Sequence, residues 1–248
     1  MLTYLYAIGR VPLEPPDRPG VDAEPPRVIV EDGFAAVVGS VAPARFDEAA
    51  LAHDLEDLRR VEELARAHHR LVAALPGDGP VAPVRLATIY RDDDGVRRLL
   101  RERATELGAL LDRLGTCREW GVKMWSPPRP AADAQPVPAD AERPGTSYLM
   151  RRRAARDADA HRRAQGTELA EHVHRTLSRL AVAARRLAPQ DAVLSGRTEE
   201  MLLNTTYLVR REDEAAFTAA VAGAGASGAE IVRTGPWPPF SFATVDDP

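Results

Sequence analysis

A glycine run, a histidine pair, an aspartate triplet, a lone cysteine and an arginine-rich stretch are the residue patterns with chemistry in them. Gly223-Ala-Gly225-Ala-Ser-Gly228 fits G-x-G-x-x-G, which cradles a pyrophosphate when it follows a strand and opens a helix, so that helix amides face the anion. Here the run follows a helical pattern and precedes a strand, so it reads as a helix stop and turn, and no nucleotide cofactor is expected. His172 and His174 stand two apart; on a helix such side chains point about 200° apart and cannot share an ion without further ligands. Glu168 with His172, and Glu171 with Arg175, share helix faces and read as surface acid-base pairs. His68 and His69 diverge in the same way, with His68 at the edge of a core. Cys117 excludes an intramolecular disulfide and a multi-cysteine zinc site, and in the absence of any Gly-x-Ser-x-Gly pattern it reads as a packing residue. Asp92-Asp93-Asp94 lacks the alternating ligands and closing glutamate of a calcium loop and reads as a helix N-cap. No catalytic constellation emerges: the chain is not read as an enzyme, and neither cofactor nor metal is expected.

Arg151-Arg152-Arg153, Arg156 and Arg162-Arg163 make a dense basic patch interleaved with Asp157 and Asp159, with no aromatic inside it to stack a base. It reads either as a solvated helix face with internal ion pairs or as a docking surface for an acidic partner. Lys123 is the only lysine, so the arginine richness reflects coding bias more than phosphate binding. The net charge of -4, from 37 acidic against 33 basic residues, gives no global field toward nucleic acid or an anionic membrane. The opening Met1-Leu2-Thr3-Tyr4-Leu5-Tyr6 lacks the basic and apolar regions of a signal peptide. No stretch approaches the ~18 apolar residues of a membrane span. The expected location is the cytoplasm.

The elements that must position these residues follow from periodicity and breakers. Residues 2 to 8 read as a strand, Pro12 to Pro26 as a loop, and 27 to 30 with 34 to 38 as a hairpin turning at Glu31-Asp32-Gly33. Leu51, Leu55, Leu58, Val61, Leu64, His68, Leu71 and Leu75 recur at three and four and predict one helix with one buried face. Val81 to Tyr90 reads as a strand, and Asp92 to Asp94 introduce a helix carrying Leu99, Leu100, Leu107, Leu110, Leu111 and Leu114. Residues 118 to 125 read as a strand, 127 to 145 as a Pro- and Ala-rich linker, and about 147 to 187 as a long helix. Ala192-Val-Leu194, Leu202 to Val209, a helix from about Asp213 to Ala222 and Glu230 to Thr234 complete a β-α-β-β-α-β order. That order predicts an α+β protein of two domains: residues 1–116 mixed, and 117–248 ferredoxin-like, the latter holding the linker 127–145 and a tail 234–248.

The most unusual segment is Thr234-Gly-Pro-Trp-Pro-Pro-Phe-Ser-Phe242, in which three prolines fix an extended backbone that displays Trp237, Phe240 and Phe242. These aromatics either fold back as a cap on a core or form a preorganised contact surface. The segment resembles the G-P-W-P-P-[YF]-x-F signature of the GvpL/GvpF family of gas vesicle proteins. Tyr4-Leu-Tyr-Ala-Ile-Gly9, Glu119-Trp-Gly-Val-Lys-Met-Trp125, Thr146-Ser-Tyr-Leu149 and Asn204-Thr-Thr-Tyr-Leu-Val209 resemble further family segments in the same order. Ala82-Pro-Val-Arg-Leu-Ala-Thr88 resembles L-P-V-R-F-G-T, with Leu86 and Ala87 where Phe and Gly are commoner.

The resemblance spans essentially the whole chain. It implies a gas vesicle accessory protein, an assembly factor or minor shell component that binds the hydrophobic shell subunit GvpA and other accessory proteins in the cytoplasm. Trp237, Phe240 and Phe242 are then the first candidates for contact, and Arg151, Arg152 and Arg153 the second. The alternative is a cytosolic ligand-sensing or regulatory protein using the open face of a ferredoxin-like sheet.

Overall fold

An unbroken apolar run needs a strand covered on both faces, and Tyr4 to Ile8 lie buried in β1 (Leu2–Arg10), the strand on which the first sheet is built. The computed structural model describes residues 1–75, 79–127, 144–189, 197, 199–225 and 229–243. The protein is mixed α/β with two antiparallel sheets and divides into two compact units, residues 1–120, 208–211 and 235–248, and residues 121–207 and 212–234.

In the first unit β2 (Arg27–Glu31) and β3 (Phe34–Val41) form the expected hairpin, with Glu31 opposite Phe34. The two-residue turn places Asp32 at φ 48 and Gly33 at φ 82. That primed-turn geometry is the reason an Asp-Gly pair stands there. Along the β1 and β3 pairing the register shifts between Leu5 and Ala7, so Tyr6 is the extra residue of a bulge. Tyr4 and Tyr6 share a cluster with Val37, Phe46, Leu71 and Val72.

The single helix expected to open at Phe46 is instead two, α2 (Glu48–Glu56) and α3 (Leu58–Ala73), preceded by a short α1 (Pro43–Phe46). Two aspartates make the breaks. Asp47 Oδ1 accepts from Ala50 N at 2.8 Å and Asp57 Oδ1 from Arg59 N at 2.9 Å, each capping the helix after it. The leucine stripe is therefore not one buried face: Leu58 is 83% exposed, and in α3 only His68, Leu71 and Val72 are buried.

Residues 81 to 90 are likewise not one strand but β4 (Val81–Pro83) and β5 (Ile89–Tyr90), both paired with β1. Between them Ala87 sits at φ 63, in the left-handed region that costs an L-residue roughly 1 kcal/mol. Its amide donates to the Tyr4 hydroxyl at 2.9 Å, which holds the turn in place. A glycine would adopt this backbone without that cost. Ala87→Gly should therefore raise stability by about 0.5 kcal/mol, the relief of strain exceeding the added chain entropy; urea unfolding of the two proteins measures it.

The aspartate triplet caps as expected: Asp92 accepts from Gly95 N at the start of α4 (Asp93–Glu102), which a break at Arg103 separates from α5 (Ala104–Leu114). Val96, Leu100, Leu107, Leu111 and Leu114 are buried from these two helices.

The second sheet has the order β7-β8-β6-β9, from β6 (Cys117–Trp125), β7 (Ala183–Arg186), β8 (Met201–Arg210) and β9 (Glu230–Trp237). Two helices accompany it, α6 (Pro144–Ser178) and α7 (Glu214–Ala224). The long helix thus stops at Ser178, and residues 183 to 186, expected as helix, are an edge strand. Their Ala and Arg composition favours helix locally, but pairing with β8, extended by Leu187 N donating to Asn204 O at 2.8 Å, decides otherwise. Ala170, Val173 and Leu177 of α6 and Phe217 and Val221 of α7 are buried, with the Phe217 ring 5.4 Å from that of Tyr207. The strand expected at 192 to 194, most of the 127–145 linker and the last five residues lie outside the described residues.

Candidate functional site

The proline-aromatic segment begins inside β9. Gly235 holds φ 111, and a Cβ there would sit 2.8 Å from the Glu119 carbonyl oxygen and 3.4 Å from the Trp120 ring. Only glycine fits both the angle and the space. Pro236, Pro238 and Pro239 deny further amides to a ladder, and the chain closes into a turn in which Phe240 N donates to Pro238 O and Phe242 N to Pro239 O, at 2.8 and 3.0 Å.

Glu119 pins this turn. It is 7% exposed, and its carboxylate accepts from Ser241 N at 2.8 Å and from Ser241 Oγ at 2.5 Å. Satisfying both oxygens is what permits a carboxylate at such depth. The Arg113 guanidinium donates to Phe242 O at 3.0 Å and holds the end of the turn. The segment is a fixed element of the first unit.

The aromatics split between the two expected roles. Phe240 is half-buried against the Tyr4, Tyr6 and Leu71 cluster, its ring 5.9 Å from His68 and 5.6 Å from His69. Phe242 is half-buried too. Trp237 is 42% exposed and meets His69 edge-on, with centroids 5.1 Å apart. Phe240 therefore caps a core while Trp237 is held at the surface with one flank supported.

Beneath the segment lies a hydrogen-bonded chain. Ala87 N donates to Tyr4 Oη, which shares a hydrogen bond of 3.0 Å with His68 Nδ1. Burial pushes His68 down to about 4, against a raising effect from the Val84 backbone, which makes no full hydrogen bond to Nε2. Burial likewise raises Tyr4, and it pushes Tyr6 up to about 12. His68 is therefore a neutral core group at pH 7.

The arginine candidates belong to the second unit. Arg152 and Arg153 are exposed on α6, with Arg153 only 4.0 Å from Asp157 across one turn, and the side chain of Arg151 lies outside the described residues. The acid-base pairs expected on α6 are corrected in part: Glu171 pairs with Arg186 of β7 at 2.7 Å, not with Arg175. His174 accepts or donates at 2.9 Å to Tyr207 Oη and so has a structural partner. Gly223 lies in the last turn of α7 and Gly225 caps it; residues 226 to 228 of the glycine run lie outside the described residues. Among the described residues no group of three or more His, Cys, Asp or Glu could hold a metal ion, and no helix is long and apolar enough to cross a membrane.

Sequence reasoning missed Glu119 and His69 as parts of this site. The signal for Glu119 was a glutamate in a strand that also carries Trp120, Val122, Met124 and Trp125, a position that demands a partner if buried.

Residues 2–244 match the family described as gas vesicle synthesis protein GvpL/GvpF. The chain is 40% identical to gas vesicle protein L of Streptomyces sp. (strain CB03234), over 98% of this chain and 93% of that one. It is 26% identical to gas vesicle protein L2 of Halobacterium salinarum, over 90% and 83%. Its fold is similar to crystal structures of the gas vesicle protein GvpF from Anabaena sp. PCC7120 (TM-score 0.69, 17% identity, 99% and 97% coverage) and from Microcystis aeruginosa (0.67, 17%, 98% and 99%).

Proposed function

We propose, on the premise that this chain belongs to the GvpL/GvpF family of gas vesicle synthesis proteins, that it acts in gas vesicle assembly or as a minor shell component, by contact and without catalysis. Its partners are the hydrophobic shell subunit GvpA and other accessory proteins, met in the cytoplasm and at the vesicle. A shell subunit with an apolar gas-facing side aggregates in water unless another protein covers that side or delivers it to the growing wall.

The observation that carries this reading is Trp237, 42% exposed at the end of β9, within a segment fixed by Gly235, three prolines and the Glu119 carboxylate. A rigid aromatic loses little conformational entropy on binding, which is what an interface anchor requires. Phe240 and Phe242, both half-buried, are further contact candidates, and the α6 arginines, Arg151 to Arg153 among them, are a second docking surface.

We read the second unit as a ferredoxin-like domain. Its β-α-β-β-α-β order and the sheet order β7-β8-β6-β9, which is the second, third, first and fourth strand of that unit, support the reading.

Trp237→Ala should lower capture of the shell subunit from co-expressing cells by about tenfold or more, the usual effect of truncating a central aromatic anchor. The variant should retain the wild-type melting profile, because Trp237 covers little of the core. Unchanged capture by the folded variant removes Trp237 from the interface.

A further inference from the structure

The 35-residue α6 is packed over only part of its length. None of the described side chains from Met150 to Glu168 is buried, and burial begins at Ala170. A helix that is polar all round gains nothing from its own core and is held by ion pairs or by a neighbour. Some internal pairs exist: Arg162 with Asp159, and Arg153 loosely with Asp157. They do not neutralise the segment, since Arg151, Arg152, Arg153, Arg156, Arg162 and Arg163 stand against Asp157, Asp159 and Glu168 between residues 144 and 168.

At 100° per residue Arg152, Arg156 and Arg163 fall within about 40° of one another, a stripe about 16 Å long. Arg163 reaches only toward Glu200, at 3.6 Å. The same chain carries the complement. Residues 47 to 57 hold Asp47, Glu48, Asp54, Glu56 and Asp57 and neither lysine nor arginine, and Glu48 and Glu56 are exposed at the two ends of α2.

We propose that the α6 arginine stripe of one copy docks on the acidic α2 segment of a second copy. Guanidinium groups pair with carboxylates in forked geometry, so a stripe of three against the exposed Asp47, Glu48, Glu56 and Asp57 gives both attraction and register. The contact joins different surfaces of the two copies, so it is head-to-tail and extends to further copies unless its rotation closes a ring. It rests on the reading of these arginines as a docking surface and not on shell-subunit binding through Trp237, so either can fail alone.

Sedimentation of the full chain tests it. At about 50 mM salt the average mass should rise with concentration above the 27.0 kDa of one chain, and at about 500 mM salt it should return to that value. Arg152→Glu with Arg156→Glu, or Glu48→Arg with Glu56→Arg, should each weaken self-association about tenfold or more. Circular dichroism should be unchanged, since all four side chains are exposed. An equimolar mixture of the two doubly substituted proteins should regain association as alternating copies, because each heterotypic contact pairs opposite charges while each protein alone pairs like charges. A wild-type protein that stays monomeric at low salt overturns the proposal. So does a Glu48→Arg, Glu56→Arg protein that associates like wild type.

Discussion

Alanine at position 235 should destabilise the first unit by about 3 kcal/mol, from a left-handed backbone that only glycine adopts freely and from a Cβ driven into its neighbours. The numbers behind it are φ 111 and an approach of 2.8 Å to the Glu119 carbonyl oxygen, which is backbone and cannot swing away. For a protein of this size the loss corresponds to roughly 10 °C in the transition that unfolds that unit. Gly33 is the internal control. It too has positive φ, 82, yet nothing lies within 4 Å of its Cβ position, so Gly33→Ala should cost only about 1 kcal/mol. Calorimetry of the two variants separates strain from collision. Equal, small losses would mean that the proline-aromatic segment is not seated against Glu119 and Trp120.

The second large effect is acid sensitivity from His68. Its folded pKa, about 4, lies below the ordinary value of 6.5 because the ring is buried and 3% exposed. Between those values the unfolded chain takes up a proton that the folded chain refuses. The neutral histidine's contribution is fully present above about pH 6.5, falls as pH drops through that window, and is gone below about pH 4, a change of about 3 kcal/mol. Denaturant unfolding from pH 7.5 to 4 should show that slope in the wild type. His68→Leu, less stable at neutral pH because the buried Tyr4 hydroxyl loses a hydrogen-bond partner, should show a slope shallower by the same amount. Parallel slopes would place the acid sensitivity elsewhere.

Local patterns were readable wherever local chemistry decides the structure. The Asp32-Gly33 turn, the Asp92 cap and the unbroken apolar run of β1 each carry their own instruction. The α2 and α3 region misleads because the period that starts at Leu51 persists straight through Asp57, whose cap starts a new helix. Residues 183 to 186 mislead in another way, since their helical composition is overruled by a strand partner some twenty residues later in the chain. The site was half legible. Three prolines and three aromatics announce a stiff segment, but that Phe240 turns inward and Trp237 outward depends on Glu119 and on the His68-His69 surface, all distant in sequence.

The most direct test of Trp237 as the outward anchor is a photoreactive benzoylphenylalanine placed at position 237 in cells assembling gas vesicles, with position 58, 83% exposed in the same unit, as control. Adducts between position 237 and the shell subunit, with none from position 58, are the predicted result. Adducts from position 58 alone, or none from position 237 in a folded protein, would contradict it.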